Sequence, residues 1–387
     1  MESNQKIIWN NEDSAVLLNP RMPTEERHLL SQLPELYPQK SHIWISSSGS
    51  STGIGESTKL IALSKQAFLA SAQAVNQHLQ SDSKDCWVQV LPQFHVGGLS
   101  IEARVHLSGA QQVNGLAGDK WDARFFHQTI EGKKGTLSAL VPTQIIDLIQ
   151  AKLKSPSSLR AVVVGGSALP GDIYTKALDL GWPLLPSYGM TECCSQVATA
   201  GLESLKNQKP ELQILSHIQA QTNSEGYLKI QSPSLLTGFA QWKNKEPHWL
   251  DPKEGGWFQT QDLCEIQNGI LKPLGRGSDY VKVLGEGVNL QRLQERLESL
   301  AHNLGSEIWR QIAIVAILDA RRENQILLVH TVEVQEKEMD SLVKSFNEQV
   351  APYEKIQGHR VLREIPRTAL GKIAREKIKA LILKEKP

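Results

Sequence analysis

The sequence predicts an α/β protein in which a large N-terminal domain of helix-covered sheets is followed by a small mobile α+β domain. Three observations lead there. From Ile43 to Leu185, apolar runs of strand length alternate with segments of helical period and end in turns rich in glycine, proline or hydroxyls. That is the pattern of a mostly parallel sheet covered by helices. After Thr199 short strands take over, and then Gly275-Arg276-Gly277-Ser278-Asp279 interrupts the chain with two glycines and opposite charges. Beyond it, two helices and two strands make a small unit of their own. The expected boundaries are 1–275 for the large domain, 276–279 for a hinge and 280–387 for the small domain. A chain of 387 residues exceeds the size at which one core usually keeps growing.

Composition narrows the function classes. The chain is 40% hydrophobic and 21% charged, with 42 Lys plus Arg against 41 Asp plus Glu. So even a balance argues against a nucleic-acid surface or a polybasic membrane anchor, and favours a small ligand. No apolar run is long enough to span a membrane, and Met1 to Asn10 lack the basic start and apolar centre of a leader, so the expected location is the cytoplasm. Cys86, Cys193, Cys194 and Cys264 show no metal-ligand spacing and read as buried, reduced thiols.

Taken in order, Met1 to Lys40 is a polar lead-in with one helix around Glu25 to Leu33. The strand Ile43-Trp44-Ile45 empties into a serine- and glycine-rich loop, Ser46 to Lys59. Such a loop can wrap phosphate oxygens with backbone N–H groups and hydroxyls, or it can be a surface linker. It matches neither the Walker nor the dinucleotide glycine pattern. A helix over Ser64 to Leu79 and a strand over Cys86 to Leu91 follow. The next turn carries Phe94, His95 and two glycines, where His95 either lines a pocket or is an ordinary hydrogen-bonded histidine. Strands at Leu137 to Val141 and Leu159 to Val164 flank a helix at Thr143 to Leu153, and the second ends in Gly165-Gly166-Ser167-Ala168-Leu169-Pro170.

The stretch Leu184 to Ala198 stands at the centre of this pattern. Its apolar run ends in Ser187-Tyr188-Gly189-Met190-Thr191-Glu192, which is suited to a nucleotide. Tyr188 offers a flat face, Gly189 lets backbone approach, Thr191 can donate to a phosphate and Glu192 can hold a hard cation. The same residues also suit a strand-to-helix turn with a capping threonine. Later strands are expected at Gly226 to Gln231, Leu263 to Gln267 and Ile270 to Pro273, with Asp262 just after an aromatic turn at Trp257. In the small domain, helices at Leu290 to Ala301 and Met339 to Val350 and strands at Ile312 to Leu318 and Ile326 to Thr331 precede Pro366-Arg367-Thr368-Ala369-Leu370-Gly371-Lys372.

In order and spacing, these segments resemble the adenylate-forming family of acyl-CoA synthetases, adenylation domains and luciferases, over almost the whole chain. The Ser46 loop, with Ser48, Gly49, Ser50, Ser51, Thr52, Gly53 and Lys59, resembles the family's phosphate loop, and Leu91 to His95 its aromatic or histidine gate. Gly166, Ser167 and Ala168 with Tyr188, Gly189 and Met190 resemble its adenine and phosphate motifs. Asp262 and Arg276 resemble its ribose-binding pair, and Lys372 its catalytic lysine. Within the family the wording is most similar to the o-succinylbenzoate–CoA ligases of menaquinone synthesis.

The resemblance implies an enzyme that joins a small carboxylic acid to AMP using ATP and Mg²⁺, then transfers the acyl group to coenzyme A. Lys372, Thr191, Glu192 and His95 are the implied catalytic residues, and Glu192 the metal ligand. It also implies that the small domain rotates between the two steps. Alternatives are a ligase for another aryl or acyl acid, and a non-catalytic nucleotide-binding relative. Three departures stand out. Only forty-five residues precede Ser46, so the family's N-terminal sub-domain is shortened and a homodimer partner could cover the exposed flank. The phosphate loop lacks the usual Pro-Lys-Gly, and Ser278 stands where the family's hinge Asp or Lys is expected, with Asp279 one step later.

Overall fold

A computed structural model describes residues 6–46, 58–206, 210–284, 286–303, 307–319, 321–368 and 371–384. The described chain forms two compact units. The first runs to Thr260 and includes Cys264–Pro273, while the second comprises Gln261–Leu263 and the residues from Leu274 onward.

The first half of the first unit alternates strand and helix. In order these are β1 (Ala15–Leu17), α1 (Thr24–Leu36), β2 (His42–Ser46), β3 (Leu60–Ser64), α2 (Lys65–Leu79), β4 (Cys86–Gln89), α3 (Val96–Ser108), β5 (Gln111–Asn114), α4 (Ala123–Lys133), β6 (Leu137–Leu140), α5 (Pro142–Gln150), β7 (Ala161–Val164), α6 (Gly171–Asp179) and β8 (Leu184–Met190). Strands β5-β4-β6-β7-β8 pair in parallel in that spatial order. The starts of the helices follow local chemistry. Ser64 accepts from the Ala67 amide at α2 and Asp122 from the Phe125 amide at α4, each meeting a donor that the first helical turn leaves unpaired.

The second half is strand-rich, with β9 (Ser195–Ala200), β10 (Leu212–Ile214), β11 (Gln219–Thr222), β12 (Tyr227–Gln231), β13 (Gly238–Lys243), β14 (Glu246–Leu250), β15 (Lys253–Glu254), β16 (Trp257–Gln267) and β17 (Ile270–Arg276). The large sheet continues through antiparallel β9 and β10 to give the order β11-β12-β16-β17-β10-β9-β8-β7-β6-β4-β5, with β15 on β16. A separate sheet, β1-β2-β3-β13-β14, packs its own core. In the second unit β18 (Tyr280–Val283) and β19 (Glu286–Asn289) form a ribbon. It is followed by α7 (Leu290–Asn303), β20 (Ile312–Asp319), β21 (Glu323–Thr331), α8 (Glu336–Asn347), β22 (Gly358–Leu362) and α9 (Arg375–Lys384), with sheet order β20-β21-β22. Ile378 and Ile382 of α9 bury against Val315, Val329 and Leu362 of that sheet.

The lead-in is more structured than its polar composition suggests. β1 adds a parallel strand to β2, and Ile7, Trp9, Ala15 and Leu17 are buried in the core with Phe68 of α2. The Lys65 ammonium, itself buried, donates to the carbonyls of Ile8 at 2.6 Å and Asn11 at 3.2 Å and to the Asn11 side chain. Burial lowers the Lys65 pKa, partly offset by the Asp13 charge. All four cysteines are buried, and none forms a disulfide among the described residues. Among the described residues no helix is long and apolar enough to cross a membrane.

A polar clamp fixes where the parallel strands begin. Arg160, just before β7, donates from Nε and Nη2 to the two oxygens of Asp85 at 2.9 and 2.6 Å, and from Nη1 to the Leu79 carbonyl ending α2. Thr136, just before β6, donates to Asp85 and accepts from the Cys86 amide that opens β4. Burial alone would raise the Asp85 carboxyl, but hydrogen bonds from Arg160, Thr136 and the Asp82 amide, with the Arg160 charge, hold it below its ordinary value. The folded carboxyl is therefore the stronger acid. Its contribution is full above the ordinary carboxylate range near pH ~4 and is lost as pH falls through the depressed folded value. Asp85→Asn should accordingly lower the melting temperature at pH 7, with the gap from wild type narrowing as thermal scans move below about pH 4. A gap that stays constant down to pH 3 would assign the loss to shape, not charge.

Candidate active site

The carboxyl ends of β4, β6, β7 and β8 carry the polar turns that the sequence singles out. In an open parallel sheet that is the edge where a ligand finds exposed backbone. β7 runs into Gly165 and Gly166, and Gly166 has φ +87°, a conformation that L side chains rarely adopt. Ser187 Oγ donates to the Val164 carbonyl at 3.1 Å and so ties the end of β8 to the end of β7. Gly166, Ser167 and Ala168 are all exposed there.

Residues Tyr188 to Met190 differ from the expectation of a loop. β8 continues through them and folds back antiparallel on β9, with a register shift at Tyr188/Gly189. Thr191–Cys193 form one 3₁₀ turn, and Cys194 at φ 50° and Ser195 at φ 110° complete the reversal. The motif is thus a hairpin tip and not a strand-to-helix turn. Gly189 makes it possible, because a Cβ there would lie 1.9 Å from the Ser195 carbonyl oxygen. Tyr188 and Met190 pack half-buried on the large-sheet core, while Thr191 and Glu192 remain partly exposed. The tip is braced from outside the sheet. Leu236 N donates to the Glu192 carbonyl at 2.8 Å, and Ser100 Oγ of α3 donates to the Cys194 carbonyl at 3.0 Å.

α3 also begins at the gate segment. His95 precedes its first turn, and its carbonyl accepts from the Gly98 and Leu99 amides at 3.0 Å. Gly98 is required, since a Cβ would approach the Pro92 oxygen to 2.2 Å. Burial drives the His95 pKa down to about 4, so the ring is neutral at pH 7, and it lies 4.7 Å from the Phe94 ring. Buried Gln93 donates to Glu102 Oε2 at 3.2 Å. Burial lifts the Glu102 carboxyl to about 7 even with hydrogen bonds from Gln93 and Gln89.

One residue escaped the sequence reading. Arg104, one helical turn beyond Ser100, is 1% exposed and lies 5.4 Å over the Trp87 ring. Among the described residues its Nε and Nη1 meet no hydrogen-bond acceptor, and burial brings its pKa down to about 9. A buried guanidinium with unmet donors is costly unless an anion joins it. Its signal in the sequence was an arginine four residues after Ser100, on the buried side of a short helix.

The remaining predicted residues are distributed as follows. Lys59 enters β3 with its ammonium 4.8 Å above the Phe239 ring. Ser48, Gly49, Ser50, Ser51, Thr52 and Gly53 lie outside the described residues. Asp262, Arg276 and Lys372 belong to the second unit. There the Arg276 Nε stands 3.5 Å from Asp262 Oδ1, so the two residues expected on a ribose face each other across β16 and β17. Lys372 sits in a narrow loop. Its carbonyl accepts from Thr368 N at 2.7 Å, its amide donates to Thr368 Oγ1 at 3.1 Å, and Arg367 donates to the Gly371 carbonyl at 2.9 Å. Among the described residues no three His, Cys, Asp or Glu side chains gather as a metal cage. Glu192 as a lone carboxylate is compatible with Mg²⁺, which usually keeps water and substrate phosphates as its other ligands.

Comparison with known proteins agrees with this fold. The profile of the AMP-binding enzyme family matches residues 22–221. A 2-succinylbenzoate–CoA ligase of Bacillus thuringiensis subsp. konkukian is 27% identical over 326 residues, covering 81% of this chain and 65% of that protein. The chain therefore spans just under two thirds of that relative's length. A 2-succinylbenzoate–CoA ligase of Bacillus mycoides is 24% identical over 98% of this chain and 82% of its own. Among solved structures, the o-succinylbenzoate CoA synthetase of Bacillus subtilis in complex with the acyl-adenylate intermediate superposes with a TM-score of 0.76. It is 20% identical and covers 95% of this chain and 87% of that one. The same enzyme in complex with ATP and magnesium ion gives 0.75 at 19% identity, covering 95% and 89%.

Replacing Gly189 by alanine forces the β8–β9 hairpin apart, an overpacking cost on the order of 1–3 kcal/mol. The expected result is a melting temperature several degrees lower than wild type. An unchanged melting curve would mean that the hairpin tip does not need the close approach described here.

Proposed function

The chain belongs to the AMP-binding enzyme family, and on that premise we propose that it is an ATP-dependent acid–CoA ligase acting on o-succinylbenzoate. The observation that carries this reading is the Ser187–Glu192 hairpin tip, which presents an aromatic face, an open glycine backbone, a hydroxyl and a carboxylate beyond the ends of parallel strands. In the first step an oxygen of the substrate carboxylate attacks the α-phosphorus of ATP, and the bond to the bridging oxygen breaks to release pyrophosphate. In the second the sulfur of coenzyme A attacks the acyl carbon, and AMP departs with the oxygen it gained.

Each step brings anions together, so positioning and positive charge dominate the chemistry. Tyr188 supplies a stacking face for adenine, and Thr191 donates to phosphate. Glu192 would hold Mg²⁺, which when bound would neutralise phosphate charge. Asp262 and Arg276 take the ribose hydroxyls. Lys372 provides the positive charge at the forming acyl-phosphate bond, and the residues of the Ser46 loop serve the leaving phosphates. Neutral His95, poised at the mouth of α3, suits a gate rather than a fixed cation. A reaction that consumes ATP and coenzyme A fits residence in the cytoplasm.

An ATP–pyrophosphate exchange assay over a panel of acids tests the reading. Exchange should depend on o-succinylbenzoate. Preference for a different aryl or acyl acid would move the assignment to that acid, and silence across the panel together with no ATP uptake in calorimetry would end it. Lys372→Ala is expected to slow acyl-adenylate formation by about 10²–10³-fold while leaving thioester formation from supplied acyl-adenylate largely intact. Equal loss in both half-reactions would remove the role given to the lysine.

A further inference from the structure

Among the arginines of the second unit that the reading above does not use, Arg375 joins separate elements through its side chain. Arg375, the first residue of α9, has a side chain only 11% exposed and is bonded on three sides. Its Nη1 donates to Asp279 Oδ1 at 3.0 Å, and its Nη2 to Gln291 Oε1 at 3.1 Å and the Leu290 carbonyl at 3.4 Å. Its Nε donates to the Ile314 carbonyl at 3.1 Å. One planar fork thus joins the 3₁₀ turn Gly277–Asp279, the start of α7 and strand β20. Planar and permanently charged, it is a group whose geometry a lysine cannot reproduce.

Arg375 is also continuous with the lysine loop. Ala374 N donates to the Pro366 carbonyl at 2.9 Å, and Arg367 pairs with Ile373 as an isolated bridge, so the loop closes immediately before α9. The bridge and the Ala374 amide join the described ends of this loop directly to Arg375. On the other side, the turn ending in Asp279 follows Gly275, at φ +115°, and Gly277, residues whose backbone can absorb large rotations.

We propose that Arg375 is the positioning residue that fastens the glycine turn to the lysine loop through Asp279. Asp279 and Lys372 then travel as one body, and backbone rotation falls in the turn before Asp279. The hinge is therefore not Asp279 itself. Asp279 is the anchor on the moving side, and its partner is the arginine three residues after the lysine. The catalytic consequence rests on the two-step reading proposed above, whereas the mechanical claim does not.

Hydrogen–deuterium exchange on the full chain tests the mechanical claim directly, using Asp279→Asn and the gentler Arg375→Lys in case one of them folds poorly. Either substitution should raise exchange about tenfold both at 277–283 and at the amides of Gly371 and Lys372, although only one of these segments contains or adjoins the change. The double variant should lose no more protection than the worse single one. Acid-dependent pyrophosphate exchange should fall in step with the loss at Lys372. Faster exchange confined to the neighbourhood of each substitution, or additive losses in the double variant, would overturn the proposal. If wild-type protein makes no acyl-adenylate, the assigned reaction fails and the exchange experiment still decides the coupling.

Discussion

The Asp85–Arg160 clamp is the constraint on which the first unit depends. Parallel strands have no hairpins to set their register, so something else must fix where each begins. Here one carboxylate accepts from a guanidinium before β7 and from a threonine before β6, while that threonine also caps the first amide of β4 and the guanidinium closes the end of α2. One helix at its carboxyl end and three strands at their amino ends are aligned by side chains. The carboxyl ends of the strands, and the polar turns they carry, consequently finish at a common edge. The site is levelled from the opposite side of the sheet.

At that edge the chain trades packing for openness. The β8–β9 reversal uses a glycine where any side chain would collide and two residues in left-handed backbone, and it is held by carbonyl contacts from α3 and from Leu236. The side chains left at the surface are those that can meet a phosphate, a base or a cation. At and within α3 the buried titratable groups are shifted by burial in opposite senses. His95 is held neutral, Glu102 resists ionising, and Arg104 is penalised as a cation.

Much of this was legible in residues alone. The strand–helix alternation, the strand-rich second half and the α+β unit after Gly275 all follow from period and from glycine and proline punctuation, and the ordered motifs anticipated the family. What failed did so for physical reasons. The Tyr188–Met190 segment reads as loop because glycine and threonine lie in it, yet close backbone approach turns it into a hairpin. The first residues read as a lead-in because β1 is three residues long and Ile7-Ile8-Trp9 is a run too short to show a period, so nothing local announces that they are core. Arg104 was missed because a single charge on a helix ordinarily means a solvated face. Arg375 was passed over within a basic tail, since nothing local reveals a partner as far along the chain as Asp279.

The buried ammonium of Lys65 bears on how the chain is assembled in time. Its acceptors, the oxygens of Ile8 and Asn11, are translated long before α2 exists, and β1 likewise must wait for β2. These residues therefore cannot settle when they leave the ribosome. They are held in reserve until α2 presents the lysine, and they become one of the later pieces to lock.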